Sequence, residues 1–250
     1  MNVYHLNCVE ILAPTGDRAI GHCVLIQIDK RLILLDAGIS SYDSENPTLN
    51  FNEAFIQQVG FNFAETRSAK AQIIELGFDP SQVSDIVLTH LDCDHSSGLL
   101  DFPQATVHVG AEELYHFSKE DPRYLSFVLQ HQPAVQTYAP TTTSWLGFEA
   151  RYLPLHLDLS IALIPLFGHT LGHCGIAFTV GEQVCFYIGD AYYLRIELTD
   201  PTHPIHELTT ARAADNDQRF CNLERIKQLV SAHPEICVFG YHDVEEFEKI

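Results

Sequence analysis

Three observations on the sequence predict a single α/β domain over residues 1–250. Hydrophobic residues make up 46% of the chain and charged residues 19%, which is typical of a folded protein with one large core. Short apolar segments of strand character alternate with segments of helical periodicity. Four of the apolar segments are followed closely by His90, His169, Asp190 or His242. Because α/β sheets place ligand sites just beyond strand ends, we expect a site there.

The individual elements follow from apolar spacing. Two apolar runs at 24–28 and 32–35 flank the polar Asp29-Lys30-Arg31, which predicts a β-hairpin. Further apolar runs predict strands at 85–89, 106–109, 160–167, 184–188 and 236–239. Helical spacing predicts helices at 66–76, from 111 onward and at 220–230, with a short helix near 97.

Residues 43–68 interrupt this alternation and predict an insertion or lid over the site. The stretch from Pro47 to Gly60 mixes aromatic residues with asparagine, so we expect a long loop with short helical pieces. Long loops in compact domains are usually functional. Four phenylalanines of this segment either line an apolar channel or pack as core beneath the loop: Phe51, Phe55, Phe61 and Phe63.

Charge and cysteine usage restrict the partners and the compartment. The chain has 14 Lys+Arg against 33 Asp+Glu, a formal net charge of −19, and its basic residues form no run. Nucleic acid and anionic membranes require clustered basic residues, so we expect a small-molecule substrate instead. No targeting signal or membrane-spanning stretch is recognised. Seven scattered cysteines without a CxxC pair predict reduced thiols and a cytoplasmic protein.

The strongest chemical signal is the run His90-Leu91-Asp92-Cys93-Asp94-His95. It places four possible metal ligands within six residues, directly after a predicted strand. In a turning loop, His90 and Asp92 point to one side while Asp94 and His95 point to another. Such an arrangement suits two adjacent cations better than one closed tetrahedral site.

Three further positions supply candidate ligands. His169 follows a strand in Gly168-His169-Thr170-Leu171-Gly172-His173, whereas His173 is either a ligand or a supporting histidine. Asp190 follows another buried strand and could bridge two cations, although an aspartate there could also be a turn or cap residue. His242 ends the last predicted strand region.

In this order and spacing, these motifs resemble the metallo-β-lactamase superfamily. Within it the chain is most similar to the N-acyl-homoserine lactonase group. The features that carry this similarity are the chain length, the insertion before the first motif, the GHTLGH sequence and the run from Asp190 to Tyr193. The resemblance covers the chain from Asp36 to His242. It implies a four-layer αβ/βα sandwich, with two mixed sheets in the centre and helices outside.

The resemblance also implies a ligand set and two divalent metal ions. One ion would be held by His90, Asp92 and His169, and the other by Asp94, His95 and His242, with Asp190 bridging. The family normally has histidine where this chain has Asp92. Zinc is the expected metal, but a carboxylate at this position shifts the preference toward iron or manganese.

The implied reaction is the opening of a lactone or ester by a bridging hydroxide, with an acyl-homoserine lactone as the favoured substrate. Asp94 would steer the nucleophile. Tyr193, three residues after the bridging aspartate, would contact the substrate carbonyl or the leaving oxygen. Asp36 resembles the aspartate that orients a metal-binding histidine.

Several other functions remain as alternatives. A thioester hydrolase of the glyoxalase II type would need basic residues for the carboxylates of glutathione, which are scarce here. A diiron redox protein is favoured by Asp92, but its relatives carry a flavin domain. A metal-binding protein without catalysis is a further alternative. The sequence contains no GxSxG, P-loop or GxGxxG pattern, so neither a serine nucleophile nor a nucleotide cofactor is expected. No pattern specifies an oligomeric state.

Overall fold

The computed structural model describes residues 1–13, 16–119, 121–156 and 158–250. Its first sheet has six strands in sequence order, antiparallel from the first to the third and parallel from the third to the sixth. The strands of this sheet are β1 (Asn2–Leu12), β2 (Arg18–Ile28), β3 (Arg31–Leu35), β4 (Val83–Val87), β5 (Thr106–Gly110) and β6 (Val135–Tyr138).

A second mixed sheet has five strands in the order β13-β12-β11-β10-β9, of which only β12 and β13 are parallel. These strands are β9 (Arg151–Tyr152), β10 (Ser160–Pro165), β11 (Cys174–Val180), β12 (Gln183–Tyr187) and β13 (Cys237–Phe239). Between the sheets in sequence lies a small hairpin formed by β7 (Ser144–Trp145) and β8 (Phe148–Glu149).

Helices connect the parallel strands. They are α1 (Ser41–Glu45), α2 (Pro47–Asn50), α3 (Glu53–Val59), α4 (Ala69–Glu75), α5 (Cys93–Ser96), α6 (Ala111–Phe117), α7 (Ile205–Arg212), α8 (Asn216–Ala232) and α9 (Val244–Phe247). Four 3₁₀ helices add Pro80–Gln82, Ser97–Asp101, Ser126–Leu129 and Arg195–Leu198. Within the described ranges, none of these helices combines the length and apolarity needed to cross a membrane.

The core confirms the predicted αβ/βα sandwich. One buried cluster joins side chains of both sheets, among them Leu25 of β2 and Ile176 of β11. Helices α4 and α6 contact the first sheet. On the outer face of the second sheet, Leu223 and Ile226 of α8 pack with Ile164 and Phe186. The chain therefore has two mixed sheets with helices packed against them.

The predicted strands and the three longer helices are all present, with ends that differ by a few residues. The short strands β6, β7, β8 and β9 were not predicted, and neither was the long strand β1. Its pairing with β2 shifts register between Asn7 and Glu10, so the alternation of buried and exposed residues that identifies a strand is broken there.

The segment 43–68 contains the expected short helical pieces, and part of it lies against β1. The N–H of Leu12 donates to the carbonyl of Gly60, and the N–H of Asn62 donates to the carbonyl of Glu10, each over 2.8 Å. Its aromatic rings form one cluster with Phe127, in which Phe51 is only 1% exposed. The rings in contact with Phe51 are those of Phe55, Phe61, Phe63 and Phe127.

Candidate metal centre

Loops from both sheets bring the predicted ligands together. His90 follows β4, and His169, Asp190 and His242 follow β10, β12 and β13. All four side chains are buried. With Asp94 and His95 they form two groups whose ligand atoms lie within 4.8 Å of one another: His90, His169 and Asp190 in the first group, and Asp94, His95 and His242 in the second.

Asp92 lies beside the first group. Its Oδ2 is 3.4 Å from Nε2 of His90 and 3.2 Å from Nε2 of His169. Asp190 Oδ2 is 3.2 Å from the same His169 nitrogen and 4.0 Å from that of His90. Separations of this size are what ligand atoms at about 2 Å from one ion would have.

Asp190 also contacts the second group, so one carboxylate joins the two. Its Oδ1 lies 3.3 Å from Nε2 of His95, and its Oδ2 lies 3.3 Å from Nε2 of His242. Burial opposes the ionisation of this carboxyl, but the neighbouring His242, His95 and His169 hold its pKa well below the usual value. Asp94 completes the second group, with Oδ2 3.8 Å from Nε2 of His242 and 3.9 Å from Nε2 of His95.

The polar atoms at this centre fit metal ions. Nε2 of His90, Nε2 of His95 and Oδ1 of Asp190 are buried and have no hydrogen-bond partner in the described part of the chain. An orphaned buried polar atom is costly, and three of them spread over the two ligand groups indicate ligands at both. Imidazole nitrogens with carboxylate oxygens suit zinc, iron or manganese.

The opposite nitrogen of three of these rings is held by the protein. Nδ1 of His242 donates to the carbonyl of Ile20 over 2.9 Å, and Nδ1 of His95 donates to Asp36 over 2.8 Å. The hydroxyl of Thr89 donates to Asp36, so it accepts from Nδ1 of His90 over 2.9 Å. In each ring the Nε2 lone pair is thereby directed toward the centre.

His173 supports the centre from behind. Its Nδ1 donates to the carbonyl of Leu166 over 3.0 Å, and its Nε2 accepts from the N–H of Asp190 over 3.1 Å. Burial lowers the pKa of His173 to about 3, so the ring is neutral and can accept. Gly189 makes room for it: its φ is +53°, and a Cβ there would lie 2.7 Å from the His173 Nε2.

The two adjacent tyrosines face different surroundings. The Tyr193 ring lies between two candidate ligands, with its centroid 5.8 Å from that of His169 and 4.9 Å from that of His242. Tyr192 is fully buried, and its hydroxyl donates to Glu246 over 2.8 Å. Only the second tyrosine of the pair is therefore at the centre.

Sequence reasoning missed Arg123, which binds Asp92 directly. Its Nε donates to Oδ1 over 2.8 Å, and its Nη2 donates to Oδ2 over 2.5 Å. Burial opposes the ionisation of Asp92, but Arg123 and His90 hold the pKa of that carboxyl well below its usual value. The only available signal was a basic residue in an acidic chain, since Arg123 belongs to no ligand motif.

Glu113 was also missed. This buried carboxylate joins the two ligand loops, because it accepts from the N–H of Leu91 over 2.8 Å and from the hydroxyl of Thr170 over 2.6 Å. Burial raises the pKa of Glu113 to about 7. Nothing in the sequence distinguished it from Glu112, which instead forms an ion pair with Arg151.

A buried centre of imidazoles and carboxylates at the strand ends of two facing sheets defines a metal-dependent protein. The family model of the metallo-β-lactamase superfamily matches residues 16–240. The chain therefore belongs to the metallo-β-lactamase superfamily.

Comparison with curated proteins and solved structures agrees with this membership. Proteins of Mycobacterium bovis and Mycobacterium tuberculosis, each described as a "Probable metallo-hydrolase", are 31% identical to this chain over 258 residues, covering 99% of it and 82% of each relative. An N-acyl homoserine lactone hydrolase with N-hexanoyl-L-homoserine at its catalytic metal centre has a TM-score of 0.77 at 17% identity, covering 99% of this chain and 95% of the other. The dizinc lactonase AidC has a TM-score of 0.59 at 18% identity, covering 91% and 74%. This metallo-hydrolase thus shares its fold with lactonases.

Proposed function

We propose that the chain is a dinuclear-metal hydrolase that opens a lactone or ester, with an acyl-homoserine lactone as the favoured substrate. The observation that carries this proposal is the position of Asp190, whose two oxygens lie within 3.3 Å of Nε2 of His95, His169 and His242. A carboxylate shared between two ligand groups is suited to bridging two cations.

Seven residues would hold the two ions. His90, Asp92 and His169 would serve one ion, Asp94, His95 and His242 would serve the other, and Asp190 would serve both. We expect zinc, and the carboxylate of Asp92 makes iron and manganese the alternatives. Two bound divalent cations would polarise the substrate carbonyl and lower the pKa of a water molecule.

The chain's own residues would orient the substrate and move the proton. The pKa of Tyr193 is raised well above its usual value by burial and by Asp190, so its phenol keeps its proton and can donate to the oxygen that becomes negatively charged. Asp94, whose side chain is 15% exposed, lies at the open side of the second group, where its carboxylate can orient the attacking water.

The surroundings of the centre favour an uncharged, partly apolar substrate. The net charge of −19 would repel anionic esters, whereas a lactone is neutral. The phenylalanine cluster of the 43–68 segment contacts Phe127, which is four positions along the chain from Arg123. We therefore propose that its partly buried members Phe55 and Phe63 line a channel for an acyl chain. All seven cysteines are free thiols, in keeping with a cytoplasmic role such as quorum quenching.

The test is hydrolysis of a panel of compounds by the metal-loaded protein. The panel contains acyl-homoserine lactones of several chain lengths, a simple aryl ester and a glutathione thioester, and the controls are chelator-treated protein and Asp190→Asn. We expect lactone opening that is lost in both controls. No turnover of any lactone by fully loaded protein would contradict the proposal, and preferential turnover of the thioester would favour the glyoxalase II type.

A further inference from the structure

Arg123 places a fixed positive charge inside the first ligand group. Besides its hydrogen bonds to Asp92, its Nη2 lies 2.7 Å from Nε2 of His169, and its Nη1 donates to the carbonyl of Arg212 over 2.6 Å. The side chain is only 21% exposed. A guanidinium thus contacts two of the four side chains that would bind one of the ions.

The contact with His169 excludes a metal ion from the same atom. A guanidinium has only donors, so Nε2 of His169 must accept with its lone pair. That nitrogen has a single lone pair, which can be directed either at Nη2–H or at a cation. Oδ2 of Asp92 also faces Nη2 over 2.5 Å, but a carboxylate oxygen has two lone pairs and is not blocked in the same way. Arg123 and an ion are therefore strict alternatives at His169, and they share the charge of Asp92.

The second ligand group has no such competitor. In the described ranges, no lysine or arginine forms a hydrogen bond or ion pair with the side chains of Asp94, His95 or His242. Nε2 of His95, like Nε2 of His90 in the first group, is buried with no hydrogen-bond partner in the described residues. The two groups share Asp190 but differ in whether a protein cation already satisfies their ligand atoms.

We propose that Arg123 is an internal cation that competes with the metal ion of the His90–Asp92–His169 group, so that the two metal positions fill in order, the Asp94–His95–His242 position first. The inference rests on the dinuclear site of the proposed function. It also gives Asp92 a role: the carboxylate that replaces a histidine of the family pattern holds the competing guanidinium in place.

If Arg123 instead supported metal binding, its removal would change the metal affinity in the opposite direction. If Nε and Oδ1 stayed paired while Oδ2 bound the ion, Arg123 would orient Asp92 as a ligand, and removing it would weaken metal binding. If Arg123 competes, removing it leaves Asp92 and His169 unsatisfied and strengthens binding at this position. The direction of the change therefore distinguishes the two roles.

The experiment is a Zn²⁺ titration of the chelated protein against a chromogenic chelator, for wild type, Arg123→Met and Arg31→Met. Arg31 is a matched control, since it binds Asp85, which in turn contacts His108, away from this centre. We expect the wild type to bind its second ion about 10- to 100-fold more weakly than its first. Arg123→Met should tighten the second ion by a similar factor and leave the first nearly unchanged, while Arg31→Met changes neither.

An unchanged or weakened second affinity in Arg123→Met would overturn the proposal. Arg123→Gln, which is neutral but still polar, should give the same direction and replaces Arg123→Met if that variant unfolds. A wild-type chain that binds no ion would contradict the proposed function itself. If the protein hydrolyses lactones but binds its two ions with equal affinity, and Arg123→Met changes neither affinity, the competition between Arg123 and the metal ion is overturned while the proposed function stands.

Discussion

Nδ1 of His95 donates to Oδ2 of Asp36 over 2.8 Å, and both side chains are completely buried. The same carboxylate oxygen accepts from the hydroxyls of Thr89 and Tyr187. Asp36 itself follows β3 with a φ of +50°, in the left-handed region that aspartate tolerates better than most residues. With the N–H of Thr89 on the other oxygen, the carboxylate receives four donors. A locally unfavourable backbone is thus retained where it fixes the direction of one candidate ligand.

Asp36→Asn should weaken metal binding by about 10- to 100-fold. The amide NH₂ cannot accept, so it would face either the N–H of Thr89, which donates to Oδ1 over 2.8 Å, or the three donors on Oδ2, and the His95 ring loses its orientation. Chelator competition measures the change. Asp29→Asn is the matched control, since Asp29 is an exposed turn aspartate with a φ of +52°. Equal affinities in the two variants would contradict this role of Asp36.

Substitution of the two adjacent tyrosines should separate catalysis from stability. Tyr193→Phe should lower kcat for the lactone about 100-fold with little effect on unfolding, because it removes a donor to the developing negative charge. Tyr192→Phe should keep kcat and lose about 1 to 3 kcal/mol of stability, because buried Glu246 loses a donor. Steady-state kinetics and urea unfolding measure both effects, and an equal loss of kcat in the two variants would refute the assignment.

Glu113→Ala should destabilise the protein by about 2 to 4 kcal/mol, since it leaves the buried N–H of Leu91 and the hydroxyl of Thr170 without their acceptor. Thr170→Val removes one of those donors. In a double-mutant cycle followed by urea unfolding, the two substitutions should couple by about 1 kcal/mol. Additive effects would show that Glu113 does not join the two ligand loops.

The sequence was sufficient to predict the side chains that follow strands. His90, His169, Asp190 and His242 each come shortly after an apolar run, and α/β folds place ligand sites just beyond strand ends. His90 follows a strand of the first sheet, and the other three follow strands of the second. Their convergence follows from the order of the strands in the sheets and does not require knowledge of individual side-chain contacts. For this reason the pattern of apolar runs along the sequence predicted which residues meet.

Contacts made by residues outside the motifs were not predictable in this way. Arg123 reaches Asp92 across 31 positions from a turn without periodicity, and only the packing of the chain brings them together. The side chain of Glu113 turns inward while that of Glu112 binds Arg151 near the surface, although the two are chemically alike. A pattern of residue types contains no information that separates them.

The pair of half-buried His5 and buried His22 should make stability fall at mildly acidic pH. Nδ1 of His5 lies 2.7 Å from Nε2 of His22, and burial lowers the pKa of His5 to about 4 and that of His22 well below its usual value. Between a pH of about 6.5 and 4 the unfolded chain binds more protons, so stability is lost as the pH falls through that window. Urea unfolding of chelated protein near pH 7.5 and near pH 5 should show a loss about 1 to 2 kcal/mol larger in wild type than in His5→Gln. The control is His233→Gln, at a half-exposed histidine, and this variant should lose as much stability as wild type. A His5→Gln profile parallel to wild type would contradict the prediction.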